Sequence, residues 1–529
     1  MREDFKEWKT SNDPDSTFIC EDSSLEAIYK VDQEVERKKD KEILEAKKIE
    51  YARWIEEKVF EEVDDIGQNK LSTTWVITDK SKEDRIVTKA RLVVRGFEEQ
   101  NPSVRNDSPT CSKEGVRIAL ACIASKQWQL HSLDVKAAFL QGNPIDRELY
   151  VVPPKEFRNA NKIWKLCKVA YGLTDASRSW YLRVKDVLLE IGMKMSNFEN
   201  AVFHYGNEHL EGIIVIHVDD MLFAGEDNFF TNVMAPFKNK FKISKEEHTS
   251  FKYVGIDLEQ SYDKITLSQK GYIAGMNSNL LDKDKMTDKT RLAEPEEIRI
   301  FRQAVGSLGW VTSVTRPEFS FAFCSLGMVQ SKPVVSDFIK YEKTVKELKN
   351  TIETSIVIQR LDMDSARLVV YSDASLGNLK DSASQIGYIV FMTDKTGRAV
   401  PISWVSKKSK RVARSTLTAE TLAATDAVDN TMVIKSTIQE VLKIDLPTIE
   451  LRVDNKSLFD AVRTTNTLSE KRLMIDMSAL RQMSERKEVE IKWISAQHQL
   501  ADVLTKEGSD KRKLMRVIEN GKLDMLTVA

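Results

Sequence analysis

The sequence predicts an α+β protein of several domains, and three observations carry that prediction. The chain has 529 residues, enough for roughly three or four domains of ordinary size, and its 41% hydrophobic content supplies their cores. From Cys111 to Leu222 helical periodicity alternates with short strand-like runs, centred on the apolar stretch GIIVIHVDDMLFAG (212–225). A fresh strand-rich start at RLVVYSDAS (367–375) then opens a separate C-terminal domain.

Residues 1–65 are dominated by charge. In DQEVERKKDKEILEAKKIEYARWIEEKVFEEVDD (32–65) apolar residues recur at loosely helical spacing, which reads as an exposed helix. TTWVIT (73–78) and ARLVVRGF (90–97) alternate and carry β-branched residues, so they read as strands, and NPSVRNDSPT (101–110) as a loop. Residues 226–365 look more helical and contain no further acid-centred strand. Trp75, Trp128, Trp164, Trp180, Trp310, Trp404 and Trp493 sit among apolar neighbours, as core residues do. The tail from Gly508 is weakly amphipathic and reads as a short helix without chemistry.

Charge and cysteine usage exclude several classes. Lys and Arg (80) balance Asp and Glu (81) to a formal net charge of −1, so any nucleic-acid surface must be local. The densest basic tract is SKKSKRVAR (406–414), which reads either as a phosphate-binding loop or as a solvated one. Cys20, Cys111, Cys122, Cys167 and Cys324 are scattered and lack CxxC spacing, which argues against a disulfide framework or a zinc site. No stretch approaches eighteen apolar residues, and MREDFKEWKT is charged where a signal peptide is apolar. The expectation is a soluble, intracellular, cytoplasmic protein with no membrane partner.

Two adjacent carboxylates, Asp219 and Asp220, interrupt the apolar run at 212–225. Burying an unpaired carboxylate is costly, so the pair marks a surface turn, a structural ion pair or a bound metal. Upstream, LHSLDVKAAFLQG (130–142) places Asp134 at the end of a short strand. Three carboxylates meeting at a strand edge form the oxygen-rich site that Mg²⁺ prefers.

Here the sequence resembles the reverse transcriptase of copia-type LTR retrotransposon polyproteins. The resemblance rests on KARLVVRGF (89–97), LDVKAAFLQG (133–142), YGLTDASRSWY (171–181), HVDDML (217–222), KYVGIDLEQ (252–260), LSQKGYI (267–273) and AVGSLGWVTSVTRPEFSFA (304–322), in the family's order and spacing. It implies a right-hand polymerase with fingers and palm over 66–245 and a thumb or connection over 246–365, after the charged segment 1–65. It also implies that Asp134, Asp219 and Asp220 hold two Mg²⁺ ions, with Mn²⁺ as an alternative. Lys89 and Arg91, alternate residues of one strand, would reach the incoming triphosphate. Phe139 looks like the aromatic gate that excludes a 2′-hydroxyl, and Gly172 would let the backbone approach template and nucleotide. Two departures stand out: Asp175-Ala176-Ser177 where many relatives carry Gln-Ala-Pro, and His217 where they carry Tyr. Neither position is a metal ligand.

A second set of acids follows. Val369, Tyr371 and Asp373 share one strand face; Ser415 or Thr416 caps an Ala-rich helix carrying Glu420 in its first turns. Asp454 follows IELRV (449–453), where Glu450 and Arg452 fall on the polar face, and VEIKWISAQHQLADVLTK (489–506) runs from a strand into a helix presenting Asp502. Acids in the order strand, helix, strand, helix resemble an α/β ribonuclease H-like domain, in its copia-type version, over 366–508, with 509–529 as a tail. The resemblance implies two further Mg²⁺ ions held by Asp373, Glu420, Asp454 and Asp502, with His498 assisting product release or proton transfer.

The implied partners are an RNA template, a DNA primer, an RNA/DNA hybrid and dNTPs. Association with the element's integrase or capsid proteins, and residence in a virus-like particle, follow from the resemblance alone. No protease or integrase motif is read before residue 66, so a processed product, a truncated element or a fragmentary gene model is expected. The rival reading is a silent or co-opted retroelement relic that only binds nucleic acid. It predicts decay at the ligand positions, and these acids are all present. Neighbours on a regular strand face opposite ways, so Asp219 and Asp220 can serve one site only at the tip of a β-hairpin beside Asp134.

Overall fold

In the strand Arg85–Val94, Ala90, Leu92 and Val94 are buried while Lys89 and Arg91, alternating with them, are exposed, so period-two alternation assigns one face to the core. A computed structural model describes residues 22–82, 85–100, 103–379, 381–464 and 470–524. The chain divides into two compact units, Met1–Asn106 with Phe139–Ser179, and Asp107–Ala138 with Trp180–Ala529. The expected boundaries at 245 and 365 both fall within the second.

The first unit pairs Arg85–Val94 with Thr73–Lys82 in an antiparallel hairpin. A second sheet runs in the order Phe60–Asp64, Lys162–Leu166, Tyr150–Val151, Lys70–Leu71. The helix Asp22–Glu56 confirms the expected helix but not its full exposure. Ala46, Glu50 and Trp54, spaced by four on one face, are buried, and Glu50 is paired with Arg53 at 3.1 Å. Tyr51 stacks on Phe157 at 4.1 Å and Phe60 on Trp164 at 3.9 Å, so an aromatic cluster rather than solvent receives that face.

The second unit contains a six-stranded antiparallel sheet in the order Ile243–His248, His131–Val135, Asp220–Gly225, Gly212–His217, Val202–Tyr205, Lys194–Met195. Residues 226–365 are less purely helical than their composition suggests. Ser250–Tyr253, Ile256–Gln260 and Lys264–Ser268 form an antiparallel sheet with Ile356–Gln359, because every second residue there is apolar and buried. The helices Pro295–Val314, Ser320–Val329 and Val335–Asn350 pack around Phe301, Leu308, Phe338 and Leu348. The first begins with proline and a capping box between Glu294 and Glu297.

The C-terminal strands form a mixed five-stranded sheet in the order Ala399–Lys408, Gln385–Thr393, Arg367–Ser375, Ile449–Val453, Val489–Trp493, the last two parallel to Arg367–Ser375 and to each other. The helix Thr416–Leu442 packs against it, capped by Ser415, whose hydroxyl accepts from the Thr418 amide. The strand Ile449–Val453 is buried on both faces, unlike the half-polar strand expected. Glu450 and Arg452 are each 4% exposed and neutralise one another at 2.6 Å, with Lys492 3.0 Å from Glu450.

Buried polar bonds join this sheet to the rest of the second unit. Arg117, on the helix Lys113–Lys126, donates to the carbonyls of Ile402, Ser313 and Val314 and lies 3.7 Å from the Trp404 ring centroid. Ser403 donates to Glu114, and Ser196 and Asn197 to Glu440. The core expectation holds for Trp128, Trp164, Trp180 and Trp404, which are buried, whereas Trp75, Trp310 and Trp493 are half-buried.

Candidate active sites

The apolar runs flanking the first acid pair form the expected β-hairpin. Gly212–His217 pairs antiparallel with Asp220–Gly225, His217 opposite Asp220, leaving Val218 and Asp219 as a two-residue loop. Val218 has φ +58°, a conformation that costs a β-branched residue about 1–3 kcal/mol. Trp180, fully buried, donates its indole N–H to the Val218 carbonyl at 2.7 Å and fixes the loop.

This hairpin meets the strand His131–Val135 so that Asp220 stands opposite Asp134, and the Val135 amide donates to the Asp219 carbonyl at 3.4 Å. The Ser244 hydroxyl donates to Asp134. Burial, then the charges of Asp219 and Asp134, push Asp220 up to about 6. Burial lowers His217 against the opposing pull of Asp219. Asp134 and Asp220 thus stand opposite one another beside the hairpin loop that carries Asp219. Among the described residues, though, the carboxylate groups that converge within 4.8 Å of one another belong to a different trio.

In the first unit, Lys89 and Arg91 do share the exposed face of their strand. The Arg91 guanidinium lies 6.0 Å from the Tyr171 ring, and Phe139, half-buried, meets that ring edge-on at 5.4 Å. Gly172 has φ +90°, and a Cβ there would stand 2.1 Å from the Val94 carbonyl oxygen, so only glycine lets this turn lie against the strand. Asp175 is taken up structurally. Arg147 holds it through two hydrogen bonds at 2.7 and 3.1 Å and holds Glu99 through two at 2.6 and 3.0 Å.

The converging trio is Asp373, Asp454 and Asp502. Asp373 lies within the strand Arg367–Ser375, opposite Gly387, and is 1% exposed. A Cβ at Gly387 would stand 2.7 Å from the Leu504 Cβ, so its absence lets the segment carrying Asp502 pack beside Asp373. That segment is a 3-10 turn, Ala501–Leu504, rather than the expected helix. Asp454 follows its strand directly, held by the indole of Trp493 bonding its carbonyl at 3.0 Å. Glu420, in the first turns of its helix, is not among the three converging groups but lies close enough for Asp373 and Asp454 to raise it. It accepts from the Ala374 amide, but its second oxygen is buried without a partner among the described residues.

Desolvation dominates the electrostatics of this set. Burial raises Glu420 to about 9, reinforced by Asp373 and Asp454; burial raises Asp373 to about 7 against the pull of Lys506. Asp454 is raised as well, again by burial first. A set of carboxylates only, with a buried oxygen lacking a partner, fits a hard divalent cation such as Mg²⁺ or Mn²⁺. His498 lies on the neighbouring turn, its Nδ1 2.8 Å from the Ser495 hydroxyl, and is not among the converging groups.

Sequence reasoning missed three side chains here. Thr505 donates to Asp373, Gln499 bonds Asp454 and the Ser372 carbonyl, and Lys506 contacts Asp502 at 2.5 Å and Asp373 at 3.3 Å. The Asp-to-Lys spacing of four in ADVLTK was the available signal. The basic tract 406–414 is partly neutralised: Lys407 pairs with Asp426, Lys408 with Asp381 and Arg411 with Asp476.

Residues 57–297 match the family model described as reverse transcriptase (RNA-dependent DNA polymerase). Over 457 residues, 82% of the chain, it is 27% identical to the retrovirus-related Pol polyproteins from transposons RE1 and RE2 of Arabidopsis thaliana. It is 26% identical over 470 residues to that from transposon TNT 1-94 of Nicotiana tabacum. The chain is similar to copia-type reverse transcriptases. It spans 30% of the length of the two Arabidopsis relatives and 35% of the tobacco one. Its fold is similar to that of the foamy viral protease-reverse transcriptase dRH in complex with double-stranded DNA, with a TM-score of 0.51 and 13% identity over 83% of this chain and 68% of that one. The hairpin acids, with Lys89, Arg91, Phe139 and Gly172, lie inside the matched residues, and the C-terminal acids lie beyond them. No helix among the described residues is long and apolar enough to cross a membrane.

Proposed function

We propose that this chain is an RNA-directed DNA polymerase with a second, ribonuclease H site, copying RNA into DNA and cutting the RNA of the resulting hybrid. The observation that carries the polymerase reading is Asp220 in register opposite Asp134, with Asp219 in the adjoining hairpin loop, all three inside the reverse transcriptase match. Mg²⁺ bound by these acids would supply Lewis-acid activation of a primer hydroxyl and charge neutralisation at a triphosphate. The strained loop at Val218, held by Trp180, sets Asp219 immediately before Asp220, which stands opposite Asp134. Lys89 and Arg91 bind the triphosphate, Phe139 discriminates against a 2′-hydroxyl, and Gly172 admits close backbone approach.

Support for the ribonuclease H reading comes from the convergence of Asp373, Asp454 and Asp502, with Glu420 close enough for Asp373 and Asp454 to raise it. Asp373, Asp454, Asp502 and Glu420 would hold the ions, while Gln499 and Thr505 orient Asp454 and Asp373. His498, held by Ser495, accepts or delivers a proton at the edge of this set. The domain reading follows: fingers and palm over 66–245, thumb or connection over 246–365, ribonuclease H-like domain over 366–508. RNA template, DNA primer, hybrid and dNTPs are the substrates, in a soluble cytoplasmic setting.

Purified protein given a homopolymer RNA template, a DNA primer and Mg²⁺ tests the first activity. Incorporation no greater than that of Asp219→Ala/Asp220→Ala would remove the polymerase assignment. Cleavage of an RNA/DNA hybrid by wild type and by Asp373→Asn at equal rates would remove the second.

A further inference from the structure

We propose that Lys506 is the resident counter-cation of the C-terminal acid cluster. Its ammonium group occupies the place between Asp373 and Asp502 that a divalent cation takes, and leaves it for the adjoining cleft when the ion binds. The inference rests on reading the cluster as a metal site.

The geometry is that of a stand-in cation. The Lys506 Nζ lies 2.5 Å from Asp502 and 3.3 Å from Asp373, two members of the converging trio. Asp373 is 1% exposed, and Lys506 is the cation in contact with it among the described residues. A divalent ion coordinated at about 2.1 Å to the same oxygens would stand within about 4 Å of the ammonium, where like charges in a buried site repel strongly. Ion and ammonium therefore compete for one place.

An exit is built beside it. The Lys506 side chain is 41% exposed and lines a cleft of about 850 Å³ shared with Phe321, Lys340, Lys343 and Lys511. Four methylenes let the ammonium swing into that cleft without moving the 3-10 turn that carries Asp502.

The test is calorimetric titration of the full chain with Mn²⁺, without nucleic acid, in an Asp219→Asn/Asp220→Asn background that silences the hairpin acids. Lys506→Met keeps the stem and removes the charge, and is expected to bind Mn²⁺ about tenfold more tightly than the background protein. Lys506→Arg keeps the charge and is expected to bind no more tightly than the background. If Lys506→Met does not fold, Lys506→Gln carries the same comparison. Equal or weaker affinity on removing the charge, with Asp373→Asn abolishing binding, overturns the role of Lys506 and leaves the metal site standing. Absence of binding in every variant overturns both.

Discussion

Asp220 and Asp134 face each other in register across two antiparallel strands, and the hairpin that presents Asp220 turns immediately before it, at Val218 and Asp219. The turn that makes this arrangement is itself unfavourable. Val218 at φ +58° occupies the position where glycine is preferred in a two-residue hairpin loop. Val218→Gly is expected to raise stability by about 1 kcal/mol, the relieved strain exceeding the entropy that glycine loses on folding. Urea unfolding monitored by tryptophan fluorescence measures it, and a fall in midpoint would contradict the strain.

Glu420 offers a pH signature. Its folded value of about 9 lies above the ordinary 4.5, so the folded state keeps a proton that the unfolded chain has released between those values. Stability from this group is present below pH 4.5 and is lost as pH rises through about 9. Without divalent ions, Glu420→Gln is therefore expected to unfold at higher denaturant than wild type at pH 8, with the difference vanishing towards pH 4. Mg²⁺ is expected to narrow the gap by stabilising wild type. A gap that widens on acidification would contradict the buried, protonated carboxyl.

Arg147 binds Asp175 and Glu99 together, and the two acids are 15% and 9% exposed. Arg147→Met leaves both facing one another and is expected to cost about 3 kcal/mol. Asp175→Gln leaves Arg147 paired with Glu99 and is expected to cost about 1 kcal/mol. Denaturant midpoints of the two variants check the order.

Phe139 stands edge-on to Tyr171, and sugar discrimination is its proposed role. Phe139→Ala is expected to raise the efficiency of ribonucleotide over deoxyribonucleotide incorporation about tenfold, the scale of one lost steric contact. Competing-nucleotide kinetics measure the ratio, and an unchanged ratio would make Phe139 a packing residue.

Local rules made much of this readable. The alternation of Lys89 and Arg91 with buried residues, the hairpin forced by adjacent acids, and the cap at Ser415 are all near-neighbour effects. The rest depended on packing that sequence spacing does not report. The buried face at Ala46, Glu50 and Trp54 needed an aromatic partner surface, and the burial of Glu450 and Arg452 needed a strand covered on both faces. The strands at 250–268 are too short to outweigh the helical character around them. The place of Lys506 between two acids arises only when a turn packs against Gly387.

The account turns on two independent acid sites in one chain, and a paired assay on the same preparations tests that most directly. Extension of a primer on an RNA template and cleavage of an RNA/DNA hybrid are measured for wild type, Asp220→Asn and Asp373→Asn in Mg²⁺. The expected result is loss of DNA synthesis with retained cleavage in Asp220→Asn, and the reverse in Asp373→Asn. Wild-type levels of both activities in both variants would contradict it.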